Sequence, residues 1–198
     1  MNHLATSKED ILAASRDLIK ENGWAAVSIR AVASRCSVSA GTIYNYYESK
    51  ADLLSDTIES IWHEIFFHPE DEQIFHDVET CISWIYERLE YGNRQFPGFF
   101  SLHSFGFMRD EKTSGKKRMM KIWGHILNGL CEVLENDPKV RADVFDQEFT
   151  EKKFADILFS LILVSMIRQD YDPSSVLMLV KKTLYVTVQS QAKFQKQV

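Results

Sequence analysis

The sequence predicts an all-α protein, and three observations support this prediction. The 198 residues include only 4 prolines and 8 glycines, so few residues are available to end many short strands. Hydrophobic residues make up 45% of the chain, as in a globular protein, and they recur mostly at helical spacing. Near the N-terminus, three short helical patterns follow one another with tight breaks, which is typical of a helix-turn-helix module. We therefore expect a small N-terminal module followed by a larger helical domain.

The first helix is predicted over residues 7–22. Residues 6–9 have the T-x-x-E form of a capping box, in which a hydroxyl and a carboxylate each cap the other residue's backbone amide. The apolar side chains that follow lie on one helix face: Ile11, Ala14 and Leu18. Gly23 is expected to end the helix because glycine can adopt the left-handed C-cap conformation.

Two shorter helices and a longer one come next. Ser28 offers an N-cap to a second helix, whose apolar face consists of Ile29, Val32, Ala33 and Cys36. A break rich in serine, a residue that favours turns and caps, then precedes a third helix, expected over residues 40–47. Ser49 and Asp52, three residues apart, form a further cap signal that opens a fourth helix.

Longer and more apolar helices are predicted in the rest of the chain. The candidate segments are 77–95, a broken stretch 98–109, 115–136, 149–169 and 174–194. Pro173 marks the junction before the last helix, because proline disfavours helix in the preceding residue and suits a first helical turn. The last two helices carry apolar residues around much of their circumference, so they need a second burial partner besides their own core.

Residues 38–54, with the sequence VSAGTIYNYYESKADLL, carry the most specific motif. This segment resembles the signature of the TetR family, which is usually written VS-x-GTLY-x-YF-x-SK-x-x-LL. Upstream and in register, three segments are similar to the family's first helix, its Gly-aromatic corner and the T-x-R-x-I-A stretch of its second helix: 11–14, 22–24 and 28–33. The resemblance covers about 45 residues.

The sequence departs from the family pattern at two places. Cys36 and Ser37 stand where Ala-Gly is common, which loosens the usual chemistry of the turn. Ala40 stands where a basic residue is frequent, which implies one phosphate contact fewer.

The resemblance implies a one-component transcriptional repressor that acts as a homodimer. It implies a helix-turn-helix DNA-binding domain at residues 1–54 and a ligand-binding and dimerisation domain at residues 55–198. In this family the last two helices of each subunit form a four-helix dimer interface, which would bury the second apolar face. A two-fold dimer would place two recognition helices on successive major grooves of a palindromic double-stranded operator.

The third predicted helix has the properties of a recognition helix. Ile43 and Tyr47 are four residues apart and are expected to pack beneath it. Gly41 and Asn45 then face outward on a surface that is small and polar, as a helix deep in the major groove requires. The Asn45 amide suits adenine, and the Thr42 methyl group could meet a thymine methyl group.

Phosphate contacts are expected around this helix. Tyr44, Tyr46 and Lys50 reach towards the DNA backbone, and Ser28 and Ser39 add hydroxyls and free amides at helix N-termini. The complete set of predicted DNA-binding residues is Ser28, Arg30, Ser39, Ala40, Gly41, Thr42, Tyr44, Asn45, Tyr46 and Lys50.

Charge and cysteine content restrict the other possibilities. The formal net charge is −5, whereas the first 54 residues contain six Lys/Arg and six Asp/Glu, so phosphate repels this segment less than the rest. Three widely spaced cysteines argue against a disulfide framework and for a reducing cytoplasm. The N-terminus lacks an apolar signal region, and the apolar run at 158–167 is too short to span a bilayer. We expect a cytoplasmic protein without membrane contact.

Sequence motifs of catalysis and metal binding are missing. His63 and His68 come close to the H-E-x-x-H zinc motif, but their five-residue spacing rotates the second histidine off the face of the first. No G-x-S-x-G, P-loop or Rossmann glycine pattern occurs. We expect no enzyme activity, no catalytic residue, no metal and no cofactor.

A small, largely apolar or aromatic effector is the expected ligand of the second domain. Aromatic and methionine side chains crowd around a glycine-interrupted stretch, and such side chains line ligand cavities as well as cores. The predicted lining residues are Phe96, Phe99, Phe100, His103, Phe107, Met119 and Trp123. Filling such a cavity would change the distance between two DNA-binding heads and lower operator affinity.

Two other functions remain open at this point. A helix-turn-helix activator or architectural protein would share the head but answer to no ligand, so only ligand-dependent loss of DNA affinity separates it from a repressor. A helical binding module or chaperone would use the head to contact protein, and it would lack DNA affinity altogether.

Overall fold

The structure, a computed structural model, describes residues 6–66, 76–100 and 114–185, without the side chains of 114–119. The fold is all-α in these ranges. The helices in these ranges are α1 (Lys8–Asn22), α2 (Ile29–Arg35), α3 (Ala40–Tyr44), α4 (Lys50–Phe66), α5 (Val78–Gln95), α6 (Ser114–Asn136), α7 (Glu151–Arg168) and α8 (Ser174–Val180). A 3-10 turn at Trp24–Ala26 follows α1, and a π-helical turn at Lys181–Tyr185 follows α8. The predicted fold class is confirmed. None of these helices is long and apolar enough to cross a bilayer.

The capping box of α1 lies one residue later than predicted. Ser7 Oγ accepts a hydrogen bond from the Asp10 amide at 3.1 Å, and Asp10 Oδ2 accepts one from the Ser7 amide at 2.9 Å. These bonds lower the pKa of Asp10. The predicted box over residues 6–9 is therefore wrong, and Glu9 forms an ion pair within α1 instead. The predicted end of the helix is confirmed, because Gly23 adopts a φ of 73° there.

Serine caps begin α2 and α3, as the sequence predicts. Ser28 Oγ accepts from the Ala31 amide at 3.1 Å, and Ser39 Oγ accepts from the Thr42 amide at 3.2 Å. Between the two helices Ser37 has a φ of 56°, in the left-handed region that favours glycine. This residue stands where the TetR pattern commonly has glycine, so the turn keeps its shape at the expense of local backbone strain.

The third helix is shorter than predicted, since α3 ends at Tyr44 instead of near residue 47. The amides of Tyr46 and Tyr47 both donate to the Ile43 carbonyl, at 3.0 and 3.1 Å, which is a tightened last turn. The predicted packing survives this difference, because the side chains of Ile43 and Tyr47 are both buried.

Contacts group the described residues into two compact units. The first contains residues 6–66, 90–100 and 114–122, and the second contains residues 76–89 and 123–185. In the first unit α5 approaches α4 closely at Gly92, where a Cβ would lie only 2.6 Å from Ile65 Cδ1. The predicted functional boundary after residue 54 stays a prediction, since packing does not identify the residues that bind DNA.

A buried carboxylate connects three segments of the second unit. Asp137 accepts hydrogen bonds from the Val78 amide at 3.0 Å, the Lys139 amide at 2.8 Å and the Tyr185 hydroxyl. Burial and the bond to this carboxylate raise the pKa of Tyr185. Asp137 thus fixes the start of α5 and the end of the π-helical turn to the residues that follow α6.

Apolar side chains occupy two opposite faces of α7, as the sequence predicts. One face is buried in the second unit and consists of Phe154, Leu158, Ile162 and Met166. The opposite face carries Ile157, Val164 and Ile167, which are 45–48% exposed. Met178 and Leu179 add exposed apolar surface on α8.

Candidate nucleic-acid interface

The outer face of α3 is small and polar at the positions that the sequence predicted. Gly41 and Asn45 are exposed, and the Tyr44 side chain is 55% exposed. Ile43 and Tyr47 hold the other face of the helix in the core of the first unit. The helix therefore presents an amide and a phenol to solvent while its apolar residues fix its orientation.

Two hydroxyls at the start of α3 bond to each other. Ser39 Oγ lies 3.0 Å from Thr42 Oγ1, in addition to capping the Thr42 amide. One of the two hydroxyl hydrogens fills this contact, and the other is available to an external acceptor such as a phosphate oxygen. Ser28 Oγ only accepts in its cap, so its hydrogen is available as well.

Four of the six basic residues in the first 54 form ion pairs inside the first unit. These pairs are Lys8–Asp56 (2.6 Å), Arg16–Glu9 (2.9 Å), Arg16–Glu64 (3.0 Å), Lys20–Glu64 (2.7 Å) and Arg35–Glu21 (2.8 Å). The Arg35 hydrogen bond lowers the pKa of Glu21, and it raises the pKa of Arg35 in turn. The charges of these residues are therefore largely neutralised within the unit.

The other two cations, Arg30 and Lys50, are exposed and form no ion pair with any residue in the described ranges. Arg30 lies in the first turn of α2, and Lys50 is the first residue of α4. An unpaired surface cation attracts phosphate without first having to leave a carboxylate. Although the first 54 residues carry no net charge, they thus have an unpaired positive charge in each of the helices directly before and after α3.

The two tyrosines that the sequence assigned to phosphate differ in their hydroxyls. Tyr46 donates its hydroxyl hydrogen to the Thr6 carbonyl at 2.7 Å. The Tyr44 hydroxyl has no hydrogen-bond partner among the residues that the structure describes. The role of Thr6 was missed, because nothing in a local sequence pattern indicates a bond that joins residues 40 positions apart.

Gly41 is not required by the packing of its own chain. A Cβ at this position would meet only Ser39 Oγ, at 3.5 Å, which is an ordinary van der Waals distance. If this position must be small, the reason lies in something that the helix contacts outside the chain.

A family model described as bacterial regulatory proteins of the tetR family matches residues 11–57. This match contains every residue of the predicted DNA-binding set and all of α2 and α3. Over this segment the chain is similar to the TetR family.

The curated relatives support this TetR assignment over the same region. The transcriptional regulator UidR of Escherichia coli K12 is 38% identical over 48 residues, which is 24% of this chain and 24% of UidR. The matched region thus spans about a quarter of the length of these relatives.

Several solved structures share the fold over most of the chain. Reduced NemR of Escherichia coli has a TM-score of 0.64 at 17% identity, covering 91% of this chain and 99% of NemR. A Rhodococcus regulator has a TM-score of 0.63 at 17% identity, covering 92% and 100%. FadR of Bacillus subtilis, solved with stearoyl-CoA, has a TM-score of 0.60 at 19% identity, covering 88% and 97%.

The predicted effector residues are divided between the two units of the chain. Phe96, Phe99 and Phe100 are buried together in the first unit, and the rings of Phe99 and Phe100 are 5.0 Å apart. Trp123 belongs to the second unit, where its ring lies 5.8 Å from that of Phe159. His103 and Phe107 lie outside the described residues, as does the side chain of Met119.

Two tryptophans that the prediction omitted complete the aromatic cluster of the first unit. Phe99 stacks on Trp24 of the 3-10 turn at 5.7 Å and contacts Trp62 of α4 at 5.5 Å. The indole N–H groups of Trp24 and Trp62 have no hydrogen-bond partner in the described part of the chain. Phe96, in turn, lies 4.9 Å beneath the Lys20 ammonium. Two of the predicted residues, Phe96 and Phe99, thus contact side chains of the helix-turn-helix segment.

Only the first histidine of the near-miss zinc motif lies in the described part of the chain. His63 lines a groove of about 520 Å³ between α1 and α4, among the ion-paired Lys8, Arg16 and Glu64. His68 lies outside the described residues. Within the described ranges, no three metal-ligating side chains come together.

Proposed function

We propose that this protein is a transcriptional repressor that binds a palindromic operator as a homodimer and releases it on binding a small molecule. The observation that carries the proposal is the outer face of α3, which exposes Asn45 and Tyr44, together with the unpaired cations Arg30 and Lys50. The proposed role is binding in the cytoplasm, without a catalytic step or a cofactor.

Phosphate contacts and base contacts would have different roles in recognition. Arg30, Lys50 and Tyr44 would contact phosphates and set the register, because phosphate contacts carry no sequence information. Asn45 and Thr42 would face base edges in the major groove, where a carboxamide can pair with adenine and a methyl group can meet thymine.

Exposed apolar surface supports the homodimer. The outer faces of α7 and α8 carry Ile157, Val164, Ile167, Met178 and Leu179 in contact with solvent. Large apolar side chains that are exposed together on one helix face are typical of a protein–protein interface. Pairing two copies through a two-fold axis would present two α3 helices to grooves about 34 Å apart.

An apolar or aromatic effector is the finer part of the proposal. The FadR structure, which shares the fold, holds stearoyl-CoA, a ligand with a long apolar chain. In this chain the proposed effector residues run from Phe96 to Trp123. Because Phe99 stacks on Trp24, a ligand that displaced Phe99 would disturb Trp24 directly. Effector binding would thereby be coupled to operator affinity.

Salt dependence of DNA binding tests the core of the proposal. Replacing Arg30 or Lys50 by alanine should lower the slope of log affinity against log salt by about one phosphate contact each. Arg35→Ala is the matched control, since Arg35 lies on the same helix as Arg30 but is paired with Glu21. It should leave the slope unchanged. The proposal would be overturned if the parent bound no duplex DNA, or if the parent and the three variants all had the same slope.

A further inference from the structure

The recognition helix is too short to hold its own position. α3 has only five residues, and isolated helices shorter than about 12 residues are marginal in water. Its orientation must come from contacts with the rest of the first unit. Ser39 and the turn before it fix the N-terminal end, and the buried Ile43 fixes the middle.

A hydrogen bond to the beginning of α1 fixes the other end. The Tyr46 hydroxyl donates to the Thr6 carbonyl at 2.7 Å, and Thr6 is buried. This carbonyl precedes the N-cap Ser7, so no amide of α1 bonds to it as part of the helix. The tyrosine therefore satisfies a buried acceptor that the helix leaves open.

Neighbouring residues strengthen the same connection. Lys8, two residues after Thr6, lies with its ammonium 5.7 Å above the Tyr47 ring and 2.6 Å from Asp56 of α4. Residues 6–8 thus contact the chain on both sides of residue 48, where α3 has ended and α4 is about to begin. A shift of α1 would move the end of α3 with it.

The number of hydrogens on a hydroxyl decides what Tyr46 can do for DNA. A phenol has one hydrogen to donate, and an ionised phosphate oxygen only accepts. The Tyr46 hydrogen is already bonded to Thr6, whereas the exposed Tyr44 hydroxyl has none of the described residues as a partner. The two tyrosines cannot serve phosphate equally without breaking the bond to Thr6.

We propose that Tyr46 is a positioning residue for base reading and makes no phosphate contact, so that the Thr6 carbonyl sets the angle of the recognition helix. This inference rests on the proposed DNA-binding function. Asn45 adjoins Tyr46 in the chain, so loss of the hydroxyl loosens the end of α3 that carries the base-reading amide. Arg30 and Lys50 lie on other helices, and their phosphate contacts persist.

A crossed pair of variants tests the assignment, Tyr46→Phe against the matched Tyr44→Phe. Both are measured as full-length protein, at one salt concentration, against the operator selected by the parent from random duplexes and against an unrelated duplex. The ratio of the two affinities is the decisive quantity. Because both affinities come from the same preparation, a partly unfolded fraction cancels from this ratio.

We expect Tyr46→Phe to lower operator affinity about threefold to tenfold, the range of one hydrogen bond, with unrelated-duplex affinity unchanged. Tyr44→Phe should lower both affinities by one factor and leave the ratio as in the parent. If Tyr46→Phe lowered the affinities for both duplexes equally, Tyr46 would be a phosphate contact and the inference would be overturned. The inference would also be overturned if both affinities equalled those of the parent. A parent that selects no sequence would instead defeat the proposed function, and the inference with it.

Discussion

The outer faces of α3 and α7 are both exposed, but they differ in chemistry. On α3 the exposed positions are Gly41, Asn45 and the polar end of Tyr44. On α7 they include three aliphatic side chains: Ile157, Val164 and Ile167. In each helix the opposite face is a well-packed core, so the difference does not come from poor folding.

This difference indicates two kinds of partner. A polar face stays hydrated when free and exchanges water for phosphates and bases, so it suits a reversible contact that weakens with salt. An aliphatic face gains from leaving water and suits a permanent contact with another apolar surface. In the proposed function, the face of α3 would therefore serve DNA and the face of α7 a second copy of the chain.

The largest effect is expected from a charge on the aliphatic face. Val164→Glu would place an unpaired carboxylate in the proposed dimer interface, which costs about 3–5 kcal/mol and so weakens dimerisation more than a hundredfold. Sedimentation velocity at micromolar concentration should show monomers, while the control Asn128→Glu, at an exposed position of α6, should stay dimeric. If the variant sediments like the parent, α7 does not form the interface.

A smaller effect is expected from a methyl group on the polar face. Gly41→Ala adds a Cβ that the chain itself tolerates, and it should stabilise α3 by about 0.5–1 kcal/mol. The same methyl group would hold the helix away from the groove floor and weaken operator binding roughly tenfold, about 1.4 kcal/mol.

Opposite signs in the two measurements are the point of this variant. The midpoint temperature of thermal unfolding should rise, whereas the fraction of operator DNA retarded in a gel should fall. A gain in stability with undiminished DNA affinity would remove Gly41 from the interface.

The smallest effect is expected inside the turn between α2 and α3. Ser37→Gly relieves a left-handed residue at φ 56° and should raise the free energy of unfolding by about 0.5–1 kcal/mol, after the greater freedom of glycine in the unfolded chain is subtracted. Ser34→Gly, within α2, should lower it because glycine weakens a helix interior. Urea unfolding of both variants checks the two signs. A lower free energy of unfolding for Ser37→Gly would contradict the inferred backbone strain.

Local signals made the head predictable from the sequence. The caps at Ser28 and Ser39 depend on bonds three residues long, and the burial of Ile43 and Tyr47 follows from helical spacing. The TetR motif then placed these elements in one fold. The capping box of α1 was misplaced by one residue because Thr6 and Ser7 both carry hydroxyls, and only the structure distinguishes them.

Long-range packing was beyond the reach of the sequence. Phe96, Phe99 and Phe100 were assigned to an effector site on composition, since an aromatic residue in a cavity wall and one in a core look the same. The contact of Phe99 with Trp24 joins positions about 75 residues apart, and no periodicity encodes it. The bond from Tyr46 to Thr6 has the same origin.

The stack of Trp24 on Phe99 limits how freely this head could be exchanged between regulators. A chimera that joined residues 1–54 to the body of another protein would keep the tryptophan and lose the phenylalanine on which it lies. The corner between α1 and α2 would then be uncovered unless the new body supplied a ring at the equivalent place. Evolution by domain shuffling would meet the same obstacle, so the two segments are expected to be inherited together.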